Sequence, residues 1–227
     1  MEQEKHVLVI FPHPDDEAFG VSGTISSFIK QGTPLTYACL TLGEMGRNLG
    51  TPTFATRESL PGIRKQELLK AANAMGITDM RMMGLRDKTL EFEDDEAMTQ
   101  MISDLIEELD PSLVISFYPG YSVHPDHEAT ARAVVRAVRK IAPSERPKLH
   151  CLAFANNTYD DLGHPDIERN IADAKDEKLN AMHAHISQTA RWLEMIEEGI
   201  KVNDPEALKW VTTEQFYSYD WENDLVE

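Results

Sequence analysis

The stretch Val7-Leu8-Val9-Ile10-Phe11-Pro12-His13-Pro14-Asp15-Asp16-Glu17-Ala18-Phe19-Gly20 decides the fold. Its first five residues are apolar and rich in β-branched types, which reads as a short buried strand. The run ends at a stiff, polar turn. A helical pattern follows from Ala18 to Gln31, with Phe19, Ile25 and Phe28 apolar, and Gly32 is placed to end it. A strand that passes through a polar turn directly into a helix is the opening of a β-α-β unit.

Working outward, the same alternation continues. Strand-length apolar runs recur at Leu35–Leu42, Met80–Gly84, Leu113–Tyr118 and Leu149–Phe154. Between them lie helix candidates at Ile63–Met75, Ala97–Leu109 and His127–Ile141. This order predicts an α/β fold, a mostly parallel sheet with helices on both faces. After Phe154 the pattern changes. Ala155–Arg169 reads as a loop, Ile171–Val202 as a long helical segment, and Pro205–Val211 as a short helix before an aromatic cluster, Phe216, Tyr217, Tyr219 and Trp221. The expectation is one domain over 1–227, with a core at 1–155 and a C-terminal helical elaboration at 156–227.

The 227 residues carry 22 basic and 39 acidic side chains, a formal charge of −17. That balance argues against non-specific nucleic-acid binding and against an anionic membrane surface, since both need a basic face. It also means that an anionic ligand needs local Arg or Lys groups in its site. The first apolar run is too short to span a bilayer. Cys39 and Cys151 sit inside apolar runs, as buried thiols in a reducing compartment would. The reading is a cytoplasmic protein. The acidic segment Glu91–Asp110 reads as a solvated helix face.

The chemistry lies in two turns. His13-Pro14-Asp15-Asp16-Glu17 follows the first strand, and His124-Pro125-Asp126-His127 follows the fourth, each just before a helix. Ligands of open α/β sheets bind outside the carboxyl ends of such strands. One aspartate would suffice to cap the helix; capping needs neither His13 nor the second carboxylate. Neighbouring strands would bring both clusters to one point. Two histidines and a carboxylate leave a zinc ion one open position. The remaining carboxylate and histidine can then act as general base and as oxyanion partner. Two histidines and a carboxylate also describe the facial triad of non-haem Fe(II) oxygenases, although those chains are β-rich. A binding module with a structural metal is a third reading, against which stands the surplus of polar groups. His164-Pro165-Asp166 follows no strand and reads as loop.

Together these residues resemble the LmbE/PIG-L family of metal-dependent N-acetylglucosamine deacetylases. Thr41-Leu42-Gly43-Glu44, Ile63-Arg64-Lys65-Gln66-Glu67 and Lys178 with His185-Ile186-Ser187-Gln188 also look like family positions. Val7–Asn48 and Thr56–Arg64 resemble in particular the bacillithiol-biosynthesis deacetylases of the second paralogue group. The resemblance implies a Rossmann-like sheet and a homo-oligomer. It implies Zn(II), or Fe(II) or another divalent ion, on His13, Asp16 and His127. It implies Asp15 as general base, His124 as oxyanion partner or acid, and Asp126 as the group orienting His124. The implied substrate is a small N-acetylated amino-sugar glycoside, N-acetylglucosaminyl malate, with amide cleavage of bacillithiol S-conjugates as the alternative. Arg64 would hold an anionic part of it, aided by Arg47 and Arg57 on the same loop. Val123 stands where some relatives carry arginine.

Overall fold

A computed structural model describes residues 2–224 and 226–227. Five parallel strands, β1 (Val7–Phe11), β2 (Leu35–Cys39), β3 (Asp79–Met82), β4 (Leu113–Phe117) and β5 (Lys148–Leu152), form the centre. They stand in the order β3-β2-β1-β4-β5. β1 is buried along its whole length, as its unbroken apolar run predicts. Its alternate residues feed two cores. Val7, Val9 and Phe11 face one, with α2 (Ser22–Lys30), α3 (Leu60–Met75) and α7 (Lys175–Ala184). Leu8 and Ile10 face the other, with α4 (Asp95–Leu109) and α5 (Pro125–Arg139).

The chain winds outward from β1 through β2 to β3, then returns to place β4 on β1's other side. The strand order therefore reverses between β1 and β4, and a crevice opens beyond their carboxyl ends. Both His/Asp turns leave from those two ends.

Three local readings are corrected. The first helix pattern is two helices, α1 (Asp16–Gly20) and α2, parted at Val21. The long C-terminal pattern breaks at His185 into α7 and α8 (Ile186–Lys201), because that histidine is turned into the core. The C-terminal part is also not purely helical. Beside α6 (Thr158–Leu162) and α9 (Pro205–Thr212) it holds β6 (Ile167–Asn170) and β7 (Thr213–Ser218). β7 pairs antiparallel with β5 and with β6, extending the sheet to seven strands. Phe216, Tyr217 and Tyr219 of the aromatic cluster are buried in the two cores. Among the described residues, no helix is long and apolar enough to cross a membrane.

Candidate active site

The two turns meet. His13 Nδ1 lies 3.2 Å from His127 Nε2. Asp16 closes the triangle, with carboxylate oxygens 3.5 Å from His13 Nδ1 and 3.3 Å from His127 Nε2. Zinc bonds of about 2.0–2.2 Å in a tetrahedron place ligand atoms about 3.3–3.6 Å apart. The two ring nitrogens are therefore spaced like neighbouring ligands of one ion, the Asp16 carboxylate faces each of them through a different oxygen, and the donors suit a divalent ion. The His127 ring is held in place. Its Nδ1 lies 3.0 Å from the Ser122 carbonyl, which leaves the Nε2 lone pair free, and Phe117 stacks on its ring at 4.2 Å.

His13 is held from behind by two carboxylates. Its Nε2 lies 3.0 Å from Asp126 and 3.2 Å from Asp87. Burial opposes charge on this ring, but hydrogen bonds to Asp126, Asp16 and Asp87 raise its pKa well above the usual histidine range. Three carboxylates around one imidazole demand a positive charge there, as a proton or as a metal cation.

Asp126, expected to orient His124, touches that ring through its backbone while its carboxylate turns elsewhere. That carboxylate accepts from His13 and from the backbone N–H groups of Lys88 and Leu90. His124 is oriented instead by the Asp126 peptide N–H, which donates to His124 Nδ1 at 3.1 Å. Burial, then His13 and His127, lower the His124 pKa. A neutral ring accepting at Nδ1 carries its proton on Nε2, as a donor.

Asp15 faces the cavity from a left-handed backbone position, φ 111°. Burial pushes its carboxyl up to about 6, against the pull of Arg64. Asp16 is also buried, yet its contacts with His127 and His13 hold it well below the usual carboxylate range. Glu17 braces the turn from beneath. It accepts from the Asp15 N–H at 3.1 Å, from the Tyr37 hydroxyl at 2.8 Å and from His185 Nε2 at 2.6 Å. Burial opposes charge on His185, but Glu17 outweighs it and the pKa is raised.

Arg64 lines the cavity, and its Nε is buried with no hydrogen-bond partner among the described residues. It is 4% exposed, and its guanidinium donates to the Gly43 carbonyl at 2.8 Å, to the Pro14 carbonyl and to Asp15 at 3.1 Å. Gly43 has φ +63°, and a Cβ there would collide with this guanidinium. Arg47 and Arg57 are exposed and do not line the cavity. The other motif segments serve the same scaffold: Thr41 bonds the Pro12 carbonyl, and Ser187 bonds Glu67 through both N–H and hydroxyl. Asp87, buried between His13 and the Met45 N–H, was not singled out by sequence; it follows the short strand β3 with no histidine beside it.

These groups open onto a cavity of about 700 Å³. Phe19, Phe154, Trp192 and Trp210 line it together with Asp15, His124 and Lys88.

The fold and the paired turns define a candidate metal site at the reversal of the strand order. Residues 8–138 match the family described as PIG-L: GlcNAc-PI de-N-acetylase, and the chain belongs to that family of deacetylases. It is 52% identical over 96% of its length to a Bacillus cereus protein named "Probable N-acetyl-alpha-D-glucosaminyl L-malate deacetylase 2", all of which is covered. A Bacillus subtilis protein of the same name is 49% identical, over 96% of this chain and 99% of the relative. Among solved structures, the N,N'-diacetylchitobiose deacetylase of Pyrococcus horikoshii superposes with TM-score 0.71 at 24% identity, covering 95% of this chain and 84% of that one. A 4-carboxy-2-hydroxymuconate hydratase of Pseudomonas putida superposes with TM-score 0.70 at 18% identity, covering 95% and 96%. The fold thus serves more than one reaction, and function must be argued from the site.

Proposed function

We propose that this chain is a metal-dependent N-deacetylase that converts N-acetylglucosaminyl malate to glucosaminyl malate and acetate in bacillithiol biosynthesis. The observation that carries this reading is the triangle of His13 Nδ1, Asp16 and His127 Nε2. The two Bacillus relatives at about half identity support the substrate.

His13, Asp16 and His127 hold the metal, zinc or another divalent ion such as Fe(II) that the same donors accept. A metal held there would polarise the amide carbonyl and lower the pKa of its water toward ~7. Asp15 takes a proton from the attacking water; a carboxyl pushed up to about 6 suits a base working near neutrality. His124 donates its Nε2 proton in a hydrogen bond to the carbonyl oxygen as negative charge develops there. The proton on Asp15 then passes to the departing amine. Arg64 positions Asp15, and Asp126 with Asp87 positions His13. The buried free thiols of Cys39 and Cys151 suit a cytoplasmic enzyme, and the family resemblance adds a homo-oligomer to the reading.

The aromatic side of the cavity favours one second reading, an amidase for S-conjugates whose acyl group is larger than acetyl. Rates of amide cleavage on the malate glycoside and on a bacillithiol S-conjugate separate the two. Faster cleavage of the acetamide supports the biosynthetic deacetylase; a tenfold excess on the conjugate replaces it with the amidase.

A further inference from the structure

The proposed substrate carries two carboxylates, both ionised near neutral pH. It must enter a protein of charge −17, through a cavity lined by Asp15, Asp16 and Asp87. Among the described residues, Arg64 and Lys88 are the Arg and Lys residues that line that cavity. Arg64 is buried and engaged with two backbone carbonyls and Asp15. Lys88 is exposed, and its ammonium makes no hydrogen bond or salt bridge among the described residues.

The backbone beneath Lys88 is built with care. Its φ is +61°, a left-handed conformation that costs a non-glycine residue about 1–2 kcal/mol. The loop is held in that shape by the Asp126 carboxylate, which accepts from the Lys88 N–H at 2.7 Å and from the Leu90 N–H at 3.1 Å. The preceding residue, Asp87, is fixed by the Met45 N–H at 2.7 Å and lies 3.2 Å from His13 Nε2. The same two carboxylates thus place His13 and Lys88. The backbone of Lys88, whose ammonium has no partner among the described residues, is thus held in the loop that also carries Asp87, in a conformation that Asn or Gly would occupy with less strain.

We propose that Lys88 is the specificity-determining residue of the site, the cation that receives a carboxylate of the aglycone. The inference rests on the deacetylase reading above and adds which residue recognises the anionic half of the substrate. It gives Lys88 the role that the family resemblance implies for Arg64.

The test compares kcat/KM for N-acetylglucosaminyl malate and for the uncharged methyl N-acetylglucosaminide. It uses the metal-loaded full-length protein, Lys88→Asn and Lys88→Arg. Asparagine tolerates the left-handed backbone, so the first variant removes charge without adding strain. The preference of the wild-type protein for the malate glycoside should fall about tenfold or more in Lys88→Asn, through KM, as for loss of a hydrogen bond to a charged group. Lys88→Arg should keep the preference within about threefold. Equal losses on both substrates, or a preference unchanged in Lys88→Asn, would overturn the assignment while the deacetylase reading stands. A wild-type protein with no preference for the malate glycoside would also overturn it. A wild-type protein that fails to cleave the malate glycoside at all would remove both.

Discussion

Two adjacent carboxylates in this turn have opposite characters, and the backbone separates them. Asp15 takes a left-handed φ and turns toward Arg64; Asp16 starts α1 and accepts from the His13 N–H at 2.9 Å. Asp15→Asn should therefore lower turnover by about 10²–10⁴ while the protein still binds its metal. Asp16→Asn should lose the metal. Acetate release and metal content, measured on the same samples, check both; an Asp15→Asn protein without metal would reverse the roles. Arg64 gives a second prediction. Its positive charge favours ionised Asp15, so Arg64→Met should move the acid limb of kcat/KM to higher pH. A limb that stays in place would make Arg64 a ligand group after all. The paired motifs were legible because His, Asp and Pro concentrate at two strand ends. Two of the partners of Arg64 were not, because they are the backbone carbonyls of Pro14 and Gly43, which no side-chain pattern records.

At the scale of elements, the C-terminal strands tie the tail to the active-site side. Glu214 of β7 accepts from the Gly23 and Thr24 N–H groups at the start of α2, and from Lys178 of α7 at 2.8 Å. Both side chains of that ion pair are 2% exposed. Glu214→Gln leaves a buried ammonium without its counter-charge and should cost about 3–5 kcal/mol. Urea unfolding would read the loss, and adding Lys178→Met should recover part of it; a loss under 1 kcal/mol would contradict this account. The same residues explain why β6 and β7 escaped notice. Strand patterns are read from apolar residues on the inward face, but inward positions here hold Arg169 and Glu214. Arg169 is buried against Phe28 and Phe216 and donates to His150 Nδ1 at 2.8 Å. β1, β2 and β4, buried along their whole length, gave the opposite case and were read within a few residues of their ends.

For the whole molecule, buried charge makes the fold sensitive to acid. Burial, then Arg169, pushes His150 down to about 4. The unfolded chain takes up this proton near pH 6.5, so the unfolded state binds more protons between about 6.5 and 4. The stability that neutral His150 preserves is complete above that window and is lost as pH falls through it, by at most about 3 kcal/mol. His150→Gln, whose amide oxygen can still accept from Arg169, should flatten the decline of unfolding free energy over that range. An unchanged slope would assign the acid sensitivity elsewhere. A metal that binds only the folded triangle should also raise the melting temperature with its concentration.

The central claim is that two turns more than a hundred residues apart in sequence form one metal-dependent deacetylase site. Acetate release from N-acetylglucosaminyl malate, by zinc-loaded protein beside a chelated sample, tests it most directly. The account predicts steady release that chelation abolishes and added zinc restores. No release from protein whose metal content is confirmed, or release indifferent to the chelator, would contradict it.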